Sequence, residues 1–393
     1  MKKGNKIALF MVPPLNHGGG AEKYFIDLAK NLSSNNLVIN VVTMDDNFIR
    51  VFSRFIQIYY YQNFFRKIIG NRREREETVI RNLGNSKWIK SSWKNLRKVL
   101  NNYDIIYTKN ELVDLFLLKC LNFNKLPPII VGVHTPIFYP VTKSFYSKFH
   151  NFLYMGPVYR FLIKGTKLIH APNKYTQYLF LNYFKVKTKL VYYPFSVNDS
   201  TNQIKKDESK LCFNKNIYNI AFVSRLSEQK GVDILLKIIE RLSTVPNLTN
   251  KISINIFGSG DKNYEEILRN YENKYSFIRY YGHVENKYIP NILSKHSLFL
   301  STSRWEVLPY NILEAQAVGL PVIAFDIPGP NDIVDNNKTG FLVNSEEEFV
   351  KKILFLIENR HYLKTQDVKM NIFNKFNPKT IYHQLSSMFN ESL

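Results

Sequence analysis

The stretch Leu298–Phe325, LFLSTSRWEVLPYNILEAQAVGLPVIAF, decides the fold. Its ends, Leu298–Ser301 and Pro321–Phe325, are short apolar runs without alternation, the pattern of strands covered on both faces. Between them Leu308–Val318 carries helical spacing, with Pro309 suited to a first turn. A strand, a crossover helix and a second strand of this size form a right-handed unit whose strands lie parallel.

Working outward, the same alternation continues. Asn219–Ser224, Ile252–Phe257, Ile278–Gly282 and Gly340–Val343 read as further strands. Lys230–Leu242, Asn263–Glu272 and Glu346–Glu358 read as the helices among them. In the first half Lys6–Val12, Leu37–Thr43, Asp104–Thr108, Ile129–His134, Leu168–Ala171 and Lys189–Tyr193 read as buried strands. The opening Met1-Lys2-Lys3 and its apolar run also resemble a short leader. The two prolines and three glycines that follow suit a strand running into a turn better. The polar segment Ser196–Lys215 reads as a linker. The prediction is an α/β chain of two Rossmann-like domains, 1–200 and 216–375, with a last segment 376–393 placed to pack back on the first. Ligands in such sheets lie at the carboxyl ends of the strands.

Composition narrows the function. At 393 residues with 45% hydrophobic and 22% charged side chains, the chain is long enough for two cores and unlike a disordered one. Two cysteines, Cys120 and Cys212, give neither a disulfide framework nor a zinc spacing, and fit a reducing compartment. The formal charge is +22, from 54 basic and 32 acidic side chains. Between Arg50 and Lys98 stand 13 Lys/Arg and three acids, interleaved with aromatics from Phe52 to Trp93. A second basic aromatic stretch runs from Tyr139 to Lys167. This mixture suits an anionic membrane surface. It would also suit single-stranded nucleic acid, but no nucleic-acid motif is present and no such partner is expected.

Three elements carry chemistry. Pro13–Lys23 contains Gly18-Gly19-Gly20 between a strand and a helix, where backbone amides approach an anion. The segment Phe222–Val232 places Arg225 at a strand end and Lys230 at a helix start. Two cations there stabilise a departing diphosphate without metal. In Ser301–Ala315, Glu306 precedes a helix and Glu314 lies one and a half turns inside it. Two carboxylates at this spacing each hold a diol, one on a sugar and one on a ribose. Free N–H groups near Val307–Tyr310 point at any phosphate between them.

In this order and placement, Gly18–Gly20, Arg225 with Lys230-Gly231, and Glu306 with Glu314 resemble glycosyltransferase family 4, over most of residues 216–345 and in patches of the first half. The resemblance implies the GT-B fold, two facing Rossmann-like domains with a cleft between them, and a retaining, nucleotide-sugar-dependent transferase. It implies Gly19 and Gly20 at the donor phosphates, Arg225 and Lys230 on the diphosphate, Glu314 on the ribose and Glu306 on the donor sugar. It also implies His283 and Val284 beside the base, and His134 near the donor sugar and acceptor. On this reading the catalytic residues are Glu306, His134, Arg225 and Lys230. Leu308 and Pro309 join the donor-binding set.

The chain departs from the family pattern at Val307, where many relatives carry glycine, and at Pro194–Asn198. Asp45-Asp46 is not Asp-x-Asp, so neither metal nor cofactor is expected. Front-face attack with a donor phosphate oxygen accepting the proton is what the family implies, with the anomeric configuration retained. The expected donor is a UDP-hexose or UDP-N-acetylhexosamine. The expected acceptor is a membrane-linked glycan or glycolipid of surface polysaccharide or lipopolysaccharide synthesis, used by an enzyme peripheral on the cytoplasmic face of the membrane. Alternatives are a GDP-mannose-dependent mannosyltransferase and a sugar-nucleotide epimerase of the same fold.

Overall fold

A computed structural model describes residues 5–12, 20–33, 37–49, 82–139, 145–195, 213–214 and 216–393. The chain divides into two compact units, Met1–Tyr193 with Lys379–Leu393, and Pro194–Pro378.

The first unit holds a seven-stranded sheet of β1 (Asn5–Met11), β2 (Leu37–Met44), β3 (Trp88–Ser91), β4 (Ile105–Lys109), β5 (Ile129–Gly132), β6 (Leu168–Ala171) and β7 (Thr188–Leu190), ordered β3-β2-β1-β4-β5-β6-β7. Every pairing is parallel. The leader-like apolar run is the central strand β1, with Ile7 to Phe10 wholly buried. Around the sheet lie α1 (Gly20–Leu32), α2 (Trp93–Leu100), α3 (Leu112–Cys120), α4 (Phe145–Met155), α5 (Pro157–Ile163) and α6 (Lys174–Leu179).

The second unit is a six-stranded parallel sheet of β8 (Tyr218–Val223), β9 (Ile252–Phe257), β10 (Ile278–Gly282), β11 (Leu298–Ser301), β12 (Val322–Phe325) and β13 (Gly340–Val343), ordered β10-β9-β8-β11-β12-β13. The quoted stretch forms the expected unit, with Phe299, Leu300 and Ser301 opposite Val322, Ile323 and Ala324. Its helices are α7 (Val232–Ser243), α8 (Lys262–Lys274), α9 (Ile289–Leu293), α10 (Tyr310–Ala317), α11 (Pro330–Ile333), α12 (Glu346–Glu358) and α13 (Thr365–Lys375).

A final helix, α14 (Pro378–Asn390), buries Ile381, Leu385, Met388 and Phe389. It belongs with the first unit. Tyr382 accepts a hydrogen bond from Asn31 at 2.9 Å, Glu391 pairs with Lys189 at 2.7 Å, and Phe389 meets Tyr107 edge-on. Among the described residues no helix is long and apolar enough to cross a membrane.

Three expectations need correction. Trp88–Ser91, counted within the basic aromatic stretch, is the edge strand β3, and the Trp88 indole donates to Thr43 at 3.0 Å. Lys87 and Lys90 mask it, because an edge strand tolerates the charges a central one excludes. Lys230 does not start a helix but ends a 3-10 turn, Glu228–Lys230, and α7 begins after Gly231. Pro309 caps α10 from an extended conformation and is not in its first turn. Residues 50–81 of the first basic stretch, Gly18 and Gly19, and nearly all of the linker fall outside the described residues.

Candidate functional site

In the second unit the strand order reverses between β8 and β11. Connections there leave toward opposite faces, which opens a crevice at the carboxyl ends of these two strands. The loops that follow β8 and β11 carry Arg225 and Lys230 on one side and Glu306 on the other.

The two loops are fastened together. Thr302 donates from Oγ1 to the carbonyls of Lys230 and Gly231, both at 2.9 Å. The Arg304 amide donates to Gln229 O at 2.8 Å, and the Gln229 side chain donates to Trp305 O at 3.1 Å. The Arg304 guanidinium grips both oxygens of Asp233 and reaches Glu228 O at 2.7 Å. Burial raises the Asp233 carboxyl, but hydrogen bonds and charge from Arg304 outweigh it and hold the group below its ordinary range. Gly231 has φ +64°, and a Cβ there would stand 2.0 Å from Thr302 O. Only glycine permits that approach.

This frame brings Lys230 Nζ to 2.5 Å from Glu306 Oε1, with the side chains 14% and 8% exposed. Arg225 stands exposed on the same loop as Lys230, while Glu314 is partly buried on α10. Asn311, at the start of α10, donates to Val223 O at 2.9 Å and ties the helix to the end of β8. Leu308 and Pro309 are buried. Gly329, at φ +96°, packs so closely that a Cβ would lie 2.8 Å from Val307 O and 3.2 Å from Glu306 Cβ. His283 and Val284 follow β10, the edge strand of the sheet, and His283 is exposed.

Sequence reading missed Thr302, Arg304 and Asp233, whose work is to hold the loops. It also missed Gly258 and Gly260 after β9, where a Cβ would strike Ser224 O at 1.8 Å or Leu226 O at 2.3 Å. Two glycines at a strand end were the available signal.

The first unit reverses its order between β1 and β4. Beyond β1, the Val12 amide donates to Asp114 Oδ1 at 2.7 Å. Asp114 is wholly buried, and burial raises its carboxyl to about 6 against the pull of Lys109, 3.6 Å away. Asn110 holds the turn after β5, accepting from the His134 and Thr135 amides at 2.8 and 3.1 Å and donating to Thr135 O at 2.9 Å.

Both ring nitrogens of His134 face tyrosines: Nε2 lies 3.3 Å from Tyr107 Oη and Nδ1 2.9 Å from Tyr193 Oη. Tyr107 also reaches His170 Nδ1 at 2.8 Å, and His170 Nε2 lies 2.7 Å from Val191 O. Burial, the neighbouring His170 and Lys109 hold His134 well below its usual range, so its ring is neutral at pH 7. Among the described residues no group of three His, Cys, Asp or Glu side chains is placed to hold a metal ion.

Residues 203–372 match the family Glycosyl transferases group 1, and residues 18–200 match Glycosyltransferase Family 4. An uncharacterized 41.2 kDa protein in the cps region of Klebsiella pneumoniae is 31% identical over 63% of this chain and 67% of its own length. A UDP-Gal:alpha-D-GlcNAc-diphosphoundecaprenol alpha-1,3-galactosyltransferase of Escherichia coli is 36% identical over 23% of this chain and 24% of its own. Other named relatives are matched over 29% to 38% of their length. Alr3699/HepE of Anabaena, solved with UDP and with UDP-glucose, superposes with a TM-score of 0.70 at 18% identity, covering 98% of this chain and 99–100% of that one. The likeness supports a GT-B assignment for the two Rossmann-like sheets. Two family matches that together take in both units, and a relative shared over two thirds of its length, make this chain a member of the family 4 glycosyltransferases.

Proposed function

We propose that the protein is a retaining transferase that moves a hexose or N-acetylhexosamine from a UDP-sugar to a membrane-linked glycan in the assembly of surface polysaccharide or lipopolysaccharide. The observation that carries this reading is the meeting of Lys230 and Glu306 where the strand order reverses. A cation for a diphosphate and a carboxylate for sugar hydroxyls stand side by side there, on loops tied to each other by hydrogen bonds.

In this reading Arg225 and Lys230 meet the charge that grows on the leaving diphosphate, in place of a metal. Glu306 holds the donor sugar and Glu314 the ribose. The Leu308 amide, beside Pro309, approaches the phosphates, and His283 with Val284 borders the base. His134 acts by position, because its nitrogens already face Tyr107 and Tyr193. A donor phosphate oxygen takes the acceptor's proton as the new bond forms on the face the diphosphate leaves, which retains configuration. UDP stands in the solved Anabaena neighbour and in the E. coli relative's name, and that name also carries a lipid diphosphate acceptor.

A membrane-linked acceptor gains support from the surface of the first unit. Phe116, Phe152, Val158, Phe161, Tyr178 and Tyr183 stand exposed on and near α3, α4, α5 and α6. Cations sit among them, Lys119 Nζ 4.8 Å from the Phe161 ring and the Arg160 guanidinium 4.2 Å from Tyr183. Apolar rings with basic heads suit the boundary between anionic headgroups and acyl chains. The cytoplasmic face of the membrane is where such a surface would work.

A panel of UDP-, GDP- and ADP-sugars, with nucleotide release followed with and without lipid-linked glycan, tests the proposal. Release from one UDP-sugar, lost in Glu306→Ala and Lys230→Ala, is the expected result. Turnover of GDP-mannose alone would favour a mannosyltransferase, and interconversion of the donor without acceptor would favour an epimerase.

A further inference from the structure

We propose that Glu306 lets the protein tell an intact nucleotide sugar from the spent nucleotide, by competing with the diphosphate for Lys230. The inference rests on the donor reading above and concerns what the Lys230–Glu306 pair does before and after the sugar is present.

The pair is built into its loops. The Lys230 amide donates to Ser227 O at 3.1 Å, its carbonyl accepts from Thr302, and Gly231 fixes the turn that follows. Glu306 lies between the Trp305 carbonyl, held by Gln229, and Val307, packed under Gly329. Neither backbone is free to carry its charge away. The ammonium and carboxylate are also largely withdrawn from water, at 14% and 8% exposure, so each depends on the other for solvation.

A diphosphate that recruits Lys230 must therefore draw the ammonium from Glu306. Bare UDP then leaves a nearly buried carboxylate beside its own negative charge, and its diphosphate offers no donor to replace the lost ammonium. An intact UDP-sugar brings hydroxyls that donate to the same carboxylate. The donor thus repairs the contact it breaks, and the product does not. When the sugar has been transferred, Glu306 recovers Lys230 and the nucleotide is displaced. Recognition of the sugar and release of the nucleotide become two uses of one carboxylate.

Calorimetric titration of UDP and UMP into the unsubstituted protein, Glu306→Gln, Lys230→Met and the double variant tests this. Glu306→Gln keeps the shape and removes the competing charge, so UDP affinity should rise on the order of tenfold, within the usual range of coupling between sites. UMP, with a single phosphate, should gain less. Lys230→Met should weaken UDP and abolish the gain from Glu306→Gln in the double variant. Glu306→Asp, which draws the carboxylate back, should tighten UDP less than Glu306→Gln, and stands in for it should that variant fail to fold. A merely structural role predicts weaker UDP binding in every variant. UDP affinity unchanged or lowered in Glu306→Gln, in a protein that binds UDP, overturns the inference and leaves the donor reading standing. No binding of UDP, GDP or ADP by the unsubstituted protein overturns both.

Discussion

Asp114 is where burial and charge are most at odds. Its carboxyl is raised to about 6 although Lys109 stands 3.6 Å away, because it is wholly enclosed. A carboxyl whose folded value exceeds its unfolded one favours the folded state while protonated, and that contribution is lost as pH rises from about 4 to about 6. Thermal unfolding from pH 4 to 7 should show this component, and Asp114→Asn should remove it while keeping an acceptor for the Val12 amide. Equal pH profiles for the two proteins would rule it out. His170 has the opposite sign. Burial lowers it to about 4, so the unfolded chain takes up its proton first and stability falls as pH drops from about 6.5 toward 4. Replacing His170 with glutamine should flatten that limb, as a pH series of unfolding midpoints would reveal. At this scale the sequence showed which residues carry charge but not their partners. Lys230 and Glu306 stand 76 residues apart and Arg304 and Asp233 71, and no local rule pairs them.

Strands and helices were legible where their environment is uniform. Central strands such as β1 and β11 announce themselves as unbroken apolar runs because both faces are covered. The edge strand β3 was hidden by its lysines. The start of α7 was misplaced by two residues because Gly231 takes a left-handed turn to meet Thr302. That turn makes a sharp prediction. Gly231→Ala demands a positive φ from alanine and drives its Cβ into Thr302 O, so it should cost the second unit more than about 1 kcal/mol. It should also weaken nucleotide binding by displacing Lys230. Denaturant unfolding and UDP titration read both effects, and unchanged values would mean the loop relaxes freely.

For the molecule as a whole, the alternation of strands and helices and the order of three motifs were enough to read the fold and the family. The residues that hold the loops and the His134–Tyr107–Tyr193 contacts were not readable, since they arise from chain segments that meet only after folding. The aromatic surface on α3 and α5 predicts association with vesicles of anionic lipid, weaker in neutral vesicles and at high salt. Phe116→Glu with Phe161→Glu should reduce co-flotation several-fold without changing turnover of a soluble acceptor analogue. Equal flotation of variant and unsubstituted protein would place membrane contact elsewhere.

The helix α14 belongs with the first unit although the whole second unit precedes it in the chain. Translation therefore delivers Phe389, which covers Tyr107 edge-on, only after Pro194–Pro378 has emerged. At the usual pace of synthesis that interval is roughly ten to forty seconds. For that time the earlier sheet waits with an uncovered aromatic edge, a span in which a nascent-chain chaperone has something to hold.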